Sequence, residues 1–411
     1  MSSIRSNIYN KLVTLLTAVF LSTFFIKLFS MPVKCALLAV IIFLCILINR
    51  RNLRNVVILG IASFLFIALL YQLMGNGESF NNYLIKSLYI LVGLLLTISL
   101  NKFTRGQQSF LLFLTFFLFL FTISMTFMVL LIDPMAVRHY GYGADEADMF
   151  MESTSLFGMY SYGVGETFAF MMPAFLCFSL GSKNIILKYV ILMITVMGII
   201  TQYMATLTTS FLLSLGCSVL VLLFFFKGVG VKIKKMLLVG LLLCPLIIYL
   251  VPQLSEYENI QFLTKMEDIQ HSINSGESSG QLQTRENLYM QSIEVFLSNP
   301  VLGLGNIESS ENRHGTRFVS MHTTIFDYLG LYGLFALFLF ISWKKILYRG
   351  LNVLPHQIQR VYKIPLLGLL GLLLLKGPVS IGVNFFFSTF LLTLLYNNEY
   401  YRIQNDMCHE K

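Results

Sequence analysis

The chain has 411 residues, of which 56% are apolar and only 12% charged, and its mean hydropathy is +0.75. No soluble domain of this length carries so apolar a surface, so a bilayer must be its solvent. The net charge of +9 invites a nucleic-acid reading, but its basic residues sit in short segments between apolar runs, which excludes a nucleic-acid binder along with a soluble enzyme.

Crossing a ~30 Å hydrocarbon core takes about 20 apolar residues in a helix. Runs of that kind predict an all-α polytopic membrane protein of about twelve transmembrane helices, at 12–28, 35–49, 56–74, 84–100, 109–132, 156–180, 185–202, 207–226, 236–252, 322–342, 361–378 and 380–397. The first follows a short basic head (Arg5, Lys11) and precedes no small-residue cleavage site, so it reads as a retained helix rather than a signal peptide. The apolar stretch 185–226 is too long for one crossing, and Thr206-Leu-Thr-Thr-Ser210 marks a turn within it. Lys376-Gly-Pro378 divides the last apolar stretch in the same way; left undivided, it would bring the total to eleven.

Placing the N-terminus in the cytoplasm assigns 20 of the 29 Lys and Arg residues to short inner segments and leaves 17 of the 20 acids outside or near the outer boundary. Short basic loops stay cytoplasmic, so both termini are expected there. The chain then divides into nine spans over 1–252, a large outer loop over 253–321, and three spans with a cytoplasmic tail over 322–411. A shorter outer loop, 133–155, carries Arg138, His139, Asp145, Glu146, Asp148 and Glu152. The large loop has a Ser/Gly-rich stretch (Ser275–Gly280) and an amphipathic run from Thr284 to Leu297, read as a helix, which Asn299-Pro300 ends. No repeat relates the two halves, as it does in many transporters, and this favours an enzyme over a carrier. Five of the six cysteines lie in apolar spans and Cys408 lies in the tail, so neither a disulfide framework nor a CxxC metal site is expected.

Chemistry concentrates between Arg285 and Phe340. This segment reads Arg285-Glu-Asn-Leu-Tyr289, then Ser298-Asn-Pro-Val-Leu-Gly-Leu-Gly305, then His322-Thr-Thr-Ile-Phe-Asp327-Tyr-Leu-Gly330-Leu-Tyr-Gly333. It resembles the O-antigen polymerase and ligase superfamily (Wzy-type polymerases and related ligases), in which an Arg-led helix, an N-P-x-x-G-x-G turn and an H-N-x-x-L-D-x-L-x-x-x-G helix entrance follow one another. Two positions depart from that pattern. Thr323 replaces the Asn after the histidine, and Thr208-Thr209-Ser210 stands where many members carry a Ser-Arg pair, so another cation must take that arginine's place.

The resemblance implies a GT-C-like fold and an inner-membrane enzyme that polymerises lipid-linked oligosaccharide repeat units at the periplasmic surface. It also implies an undecaprenyl-diphosphate-linked donor and acceptor, inverting glycosyl transfer without metal or other cofactor, membrane lipid as surroundings and a chain-length regulator protein as partner. A sugar hydroxyl needs a base that titrates near neutrality, for which His322 is the candidate, with Asp327 as its orienting partner. A diphosphate leaving group needs cations: Arg285 stands at a family position, and Arg313, Arg317 and Lys376 are further candidates. Arg138 in the shorter loop and Glu166 near the outer end of the sixth span are candidate substrate contacts.

Each residue also has a structural reading. Gly303 and Gly305 suit a tight turn, Asp327 a helix cap, His322 an interfacial hydrogen bond, Lys376 a snorkelling chain and Glu166 a helix-packing bond, while the loop arginines can simply pair with surface acids. A ligase that moves glycan to lipid A core is the nearest rival function. A flippase for lipid-linked oligosaccharide is the rival of another class, but would call for near-equal halves and short loops.

Overall fold

A backbone in hydrocarbon must satisfy its N–H and C=O groups within its own segment, which turns each apolar run into a helix. The computed structural model describes residues 2–24, 30–49, 56–73, 80–132, 136–137, 162–205, 207–225, 280–304, 322–377 and 380–409. In chain order the helices are α1 (Ser2–Ser22), α2 (Met31–Asn49), α3 (Val56–Leu73), α4 (Phe80–Ser99), α5 (Arg105–Ile132), α6 (Tyr162–Gly181), α7 (Ile185–Met204) and α8 (Thr208–Phe225). There follow α9 (Gly280–Ser298), α10 (Thr324–Tyr332), α11 (Ala336–Leu351), α12 (His356–Tyr362), α13 (Ile364–Leu375), α14 (Ile381–Phe386) and α15 (Leu392–His409). Eight segments among the described residues are long and apolar enough to cross a membrane, and Ile8–Ser22 and Val57–Leu73 are shorter apolar helices. The chain is an all-α polytopic membrane protein.

The stretch 185–226 is two helices, as its polar turn predicts, with α7 ending at Met204 and α8 starting at Thr208. The last apolar stretch also divides, α13 ending at Leu375 and α14 beginning at Ile381. The single helix expected over 322–342 is instead broken at Gly333, whose positive φ (57°) no continuing helix accepts; a 3₁₀ turn, Gly333–Phe335, leads into α11. The last span joins α15 through a π turn, Phe387–Leu391, and the helix reaches His409. The span expected over 236–252 lies outside the described residues.

Helix α6 is buried along most of its length and packs against α7, α8, α13 and α14. Its Phe175 makes edge contacts with Phe116 and Phe119 of α5 at ring separations of 5.0 and 5.1 Å. Pro173 sits inside α6 and, lacking an N–H, gives the Ala169 carbonyl no i+4 donor. Gly368 of α13 lies against that carbonyl, and a Cβ there would collide with it. This close approach fixes the height of α13 against α6, and with it the height of Lys376 against Glu166.

Polar contacts gather at the two ends of the bundle. At one end Asn10 Nδ2 donates to the Lys102 carbonyl (2.9 Å), Arg105 to Asn405 (2.9 Å), and Arg402 both pairs with Glu399 and donates to the Phe178 carbonyl (3.2 Å). The other end holds Glu166, Thr324 and Lys376.

Candidate active site at one end of the bundle

Helix α9 contains the run expected over 284–297. Leu288, Ser292 and Val295 are spaced at three and four residues and so share one face; Ser292 and Val295 are buried and the helix packs on α10. Val295 meets Leu331, with Leu304 and Tyr332 beside them. After α9 the chain turns at Asn299, and two backbone bonds tie the turn to the break between α10 and α11: Leu304 N–H donates to the Gly330 carbonyl and Leu334 N–H to the Pro300 carbonyl, both at 2.8 Å. Gly303 (φ +72°) and Gly333 (φ +57°) face each other across this junction. A Cβ on Gly303 would strike the Leu331 carbonyl and come within 2.6 Å of Gly333 N, while one on Gly333 would strike the Val301 carbonyl and approach Pro300 O to 2.6 Å. Both glycines are therefore required twice over, by conformation and by space. Tyr71 of α3 donates to the Leu302 carbonyl, and Phe64 of the same helix stacks on Tyr328 (5.8 Å).

The entrance to α10 lies beside this junction. Asp327 is fully buried and uses both carboxylate oxygens: Ser292 Oγ donates to Oδ1 at 2.7 Å and Thr323 N–H to Oδ2 at 2.9 Å. The second bond satisfies an amide at the start of α10, where helices leave donors without intrahelical partners. His322 is exposed at the same corner. One residue on, Thr324 donates its N–H and its hydroxyl to the Lys376 carbonyl, each at 2.7 Å.

Lys376 thus receives α10 through its backbone while its side chain reaches α6, where Nζ lies 3.6 Å from Glu166 Oε1. The Glu166 side chain is 5% exposed and that of Lys376 15%. Ser380 is within hydrogen-bonding reach of the same carboxylate. Ser210 Oγ donates to the Glu166 carbonyl (3.0 Å), which brings the first turn of α8 to the pair. Among the described residues no three His, Cys, Asp or Glu side chains gather as a metal site requires.

Residues 149–341 match the family model described as O-Antigen ligase. The match supports a relationship of this segment to the O-antigen polymerase and ligase superfamily. No curated protein matches the chain significantly. The superfamily's members are glycosyltransferase-like enzymes acting on lipid-linked glycans, and the matched segment spans Glu166, Arg285, Gly303, His322, Asp327 and Gly333.

Of the candidates drawn from the sequence, Glu166 and Lys376 meet directly, and Asp327 and His322 stand at the helix entrance that the Lys376 carbonyl receives. Arg285 belongs to α9. Arg138, Arg313, Arg317 and Gly305 lie outside the described residues. Two superfamily departures also find places: Thr323 is the N-cap residue of α10, and Ser210 bonds the backbone of Glu166. Sequence reasoning missed Ser292. Its position seven residues after Arg285, in line with Leu288 and Val295, was the available signal, since a buried hydroxyl on an apolar face needs a partner.

Proposed function

We propose that this chain polymerises undecaprenyl-diphosphate-linked oligosaccharide repeat units into O-antigen or capsular polysaccharide at the periplasmic face of a bacterial inner membrane. The matched O-antigen ligase segment supports the chemistry in general. The observation that carries the reading further is the bonded run Ser292–Asp327–Thr323 beside Thr324–Lys376–Glu166, which draws the loop helix, His322 and a membrane-embedded cation to one end of the bundle.

In this mechanism His322 takes the proton of the acceptor hydroxyl as its oxygen attacks the anomeric carbon of the donor sugar. The bond between that carbon and the lipid diphosphate breaks, and its electron pair leaves on the diphosphate oxygen. Arg285 and Lys376, joined by Arg313 and Arg317 from the outer loop, hold the departing negative charge. Asp327 holds the helix entrance, since both of its oxygens accept hydrogen bonds. Arg138 is assigned to a sugar contact, and Glu166 to holding the Lys376 cation. A chain-length regulator is the protein partner of such a polymerase.

The family description names a ligase, so transfer of finished glycan to lipid A core is the second reading. The glycan banding of a deletion strain separates them. A single repeat unit on core supports the polymerase, whereas bare core establishes the ligase and overturns the polymerase. Lipid intermediate accumulating at the cytoplasmic face would point to a flippase and overturn both.

A further inference from the structure

Two of the groups assigned to the reaction, Arg285 and His322, come from different parts of the chain. Arg285 belongs to a helix of the large loop and His322 to the mouth of a span, 37 positions later. Their separation must nevertheless be set closely if they are to act on one substrate, because a positioned group loses its advantage when displaced by about 1 Å.

We propose that Ser292 is a positioning residue, whose hydrogen bond to Asp327 sets the helix carrying Arg285 against the corner carrying His322. This inference rests on the roles proposed above for Arg285 and His322. A single buried carboxylate refers to both: Oδ2 holds the N–H of Thr323, the peptide next to His322, while Oδ1 holds Ser292. At 100° per residue, the seven residues from Arg285 to Ser292 complete two turns to within about 20°, and the backbone of Arg285 falls on the same helix face about 10 Å further along the axis.

The C-terminal end of α9 is already tied by the Gly303–Gly333 junction. Ser292 supplies a buried polar attachment two turns from Arg285, and without it the turns that carry Arg285 are held less closely to the entrance of α10. In this joint Asp327 accepts two hydrogen bonds. Asparagine meets the same demands, its carbonyl accepting from Thr323 N–H and its amide donating to Ser292 Oγ.

Ser292→Ala, Asp327→Ala and Asp327→Asn in the full-length chain test the joint with two readouts. One is turnover of a lipid-linked repeat unit in detergent or vesicles. The other is the distance distribution between nitroxide labels at Glu286 and Leu334, on a cysteine-depleted chain of checked abundance. Ser292→Ala and Asp327→Ala are expected to broaden the distribution and lower kcat/KM by about 10- to 100-fold, the scale of small misplacements. Asp327→Asn is expected to keep the narrow distribution, because both bonds can still form. An unchanged distribution in Ser292→Ala overturns the joint. So does a distribution in Asp327→Asn as broad as that of Asp327→Ala, since asparagine can form both bonds. The distance arm needs no substrate and decides the joint even if no glycan is transferred, so it separates failure of this inference from failure of the proposed function.

Discussion

Removing the lysine of the Glu166–Lys376 pair asks whether it does more than neutralise an acid. At the observed 3.6 Å and an effective dielectric constant of about 20, the attraction is worth roughly 5 kcal/mol before desolvation is subtracted. Lys376→Met leaves the enclosed Glu166 carboxylate without its cation, and breaking a buried pair from one side costs about 3–5 kcal/mol. The single variant should therefore show a lowered Tm in detergent, reduced membrane abundance and no polymer. Adding Glu166→Gln removes the uncompensated charge and should restore Tm and abundance toward the parent, because replacing both partners is far cheaper than removing one. Polymer should stay absent in the double variant if the ammonium grips the diphosphate. A double variant that makes full-length polymer would reduce Lys376 to a packing role, and an unchanged Tm in Lys376→Met would show that the pair contributes nothing.

Cysteines placed at Ser278 and Ser309 should react with an impermeant thiol reagent in intact spheroplasts while one at Asn352 should not; the opposite pattern would invert the topology and remove the periplasmic chemistry. Arg285→Lys keeps the charge and loses the bidentate fork, so polymer yield should fall at normal abundance, and full activity in both Lys and Ala variants would put the phosphate contact elsewhere. Gly333→Ala and Gly303→Ala each force a Cβ into a facing carbonyl and a residue into positive φ, which alone costs about 1–3 kcal/mol; both should lower thermal stability, and a neutral result would refute the interlock. His322→Ala should cut polymer synthesis by ~10²–10⁴-fold, the usual worth of general-base assistance, with His139, His271 and His314 variants as controls. Long ladders from His322→Asn at normal abundance would instead make it a hydrogen-bonding residue.

The membrane-embedded helical fold was legible because hydropathy reports a single physical requirement, an apolar exterior over a fixed length. Polar punctuation located the division between α7 and α8 and the break at Lys376 for the same reason: such residues are costly in hydrocarbon unless a chain end or a partner accommodates them. The break at Gly333 was hidden. Glycine is tolerated within membrane helices, and what requires it here is the carbonyl of Val301, more than 30 residues away in sequence. Glu166 and Lys376 were both singled out as ionisable residues at span ends, yet nothing in their local sequences joins positions 210 residues apart. Pro173 and Gly368 carry that information jointly, and a proline or a glycine in a span has many meanings taken alone. Asp327 had two readings in the sequence, cap and catalytic partner. Its bond to Thr323 N–H gives substance to the first, and its bond to Ser292 adds a third that only packing could reveal.

The missing superfamily arginine and the buried acid of α6 have one physical explanation in the proposed mechanism. Ser210, in the Thr208–Ser210 segment where many members carry a Ser-Arg pair, donates to the backbone of Glu166, and the side chain of Glu166 pairs with Lys376. A cation is therefore present near the expected place, delivered from the end of α13 rather than the start of α8. The exchange is not conservative. A guanidinium recognises a phosphate through a planar fork, whereas an ammonium acts as a point charge with three rotatable donors, so orientation has to come from elsewhere. Here the Lys376 carbonyl is bound to Thr324 and its side chain to Glu166, so the residue is held at both ends. The 3.6 Å separation is longer than the 2.7–2.9 Å of a strong charge-assisted bond, and three donors allow the ammonium to take a phosphate oxygen without giving up Glu166. On this argument Glu166 fixes the cation's position, and a Glu166→Gln substitution alone should loosen the grip on the diphosphate, raising KM for the donor more than it lowers kcat.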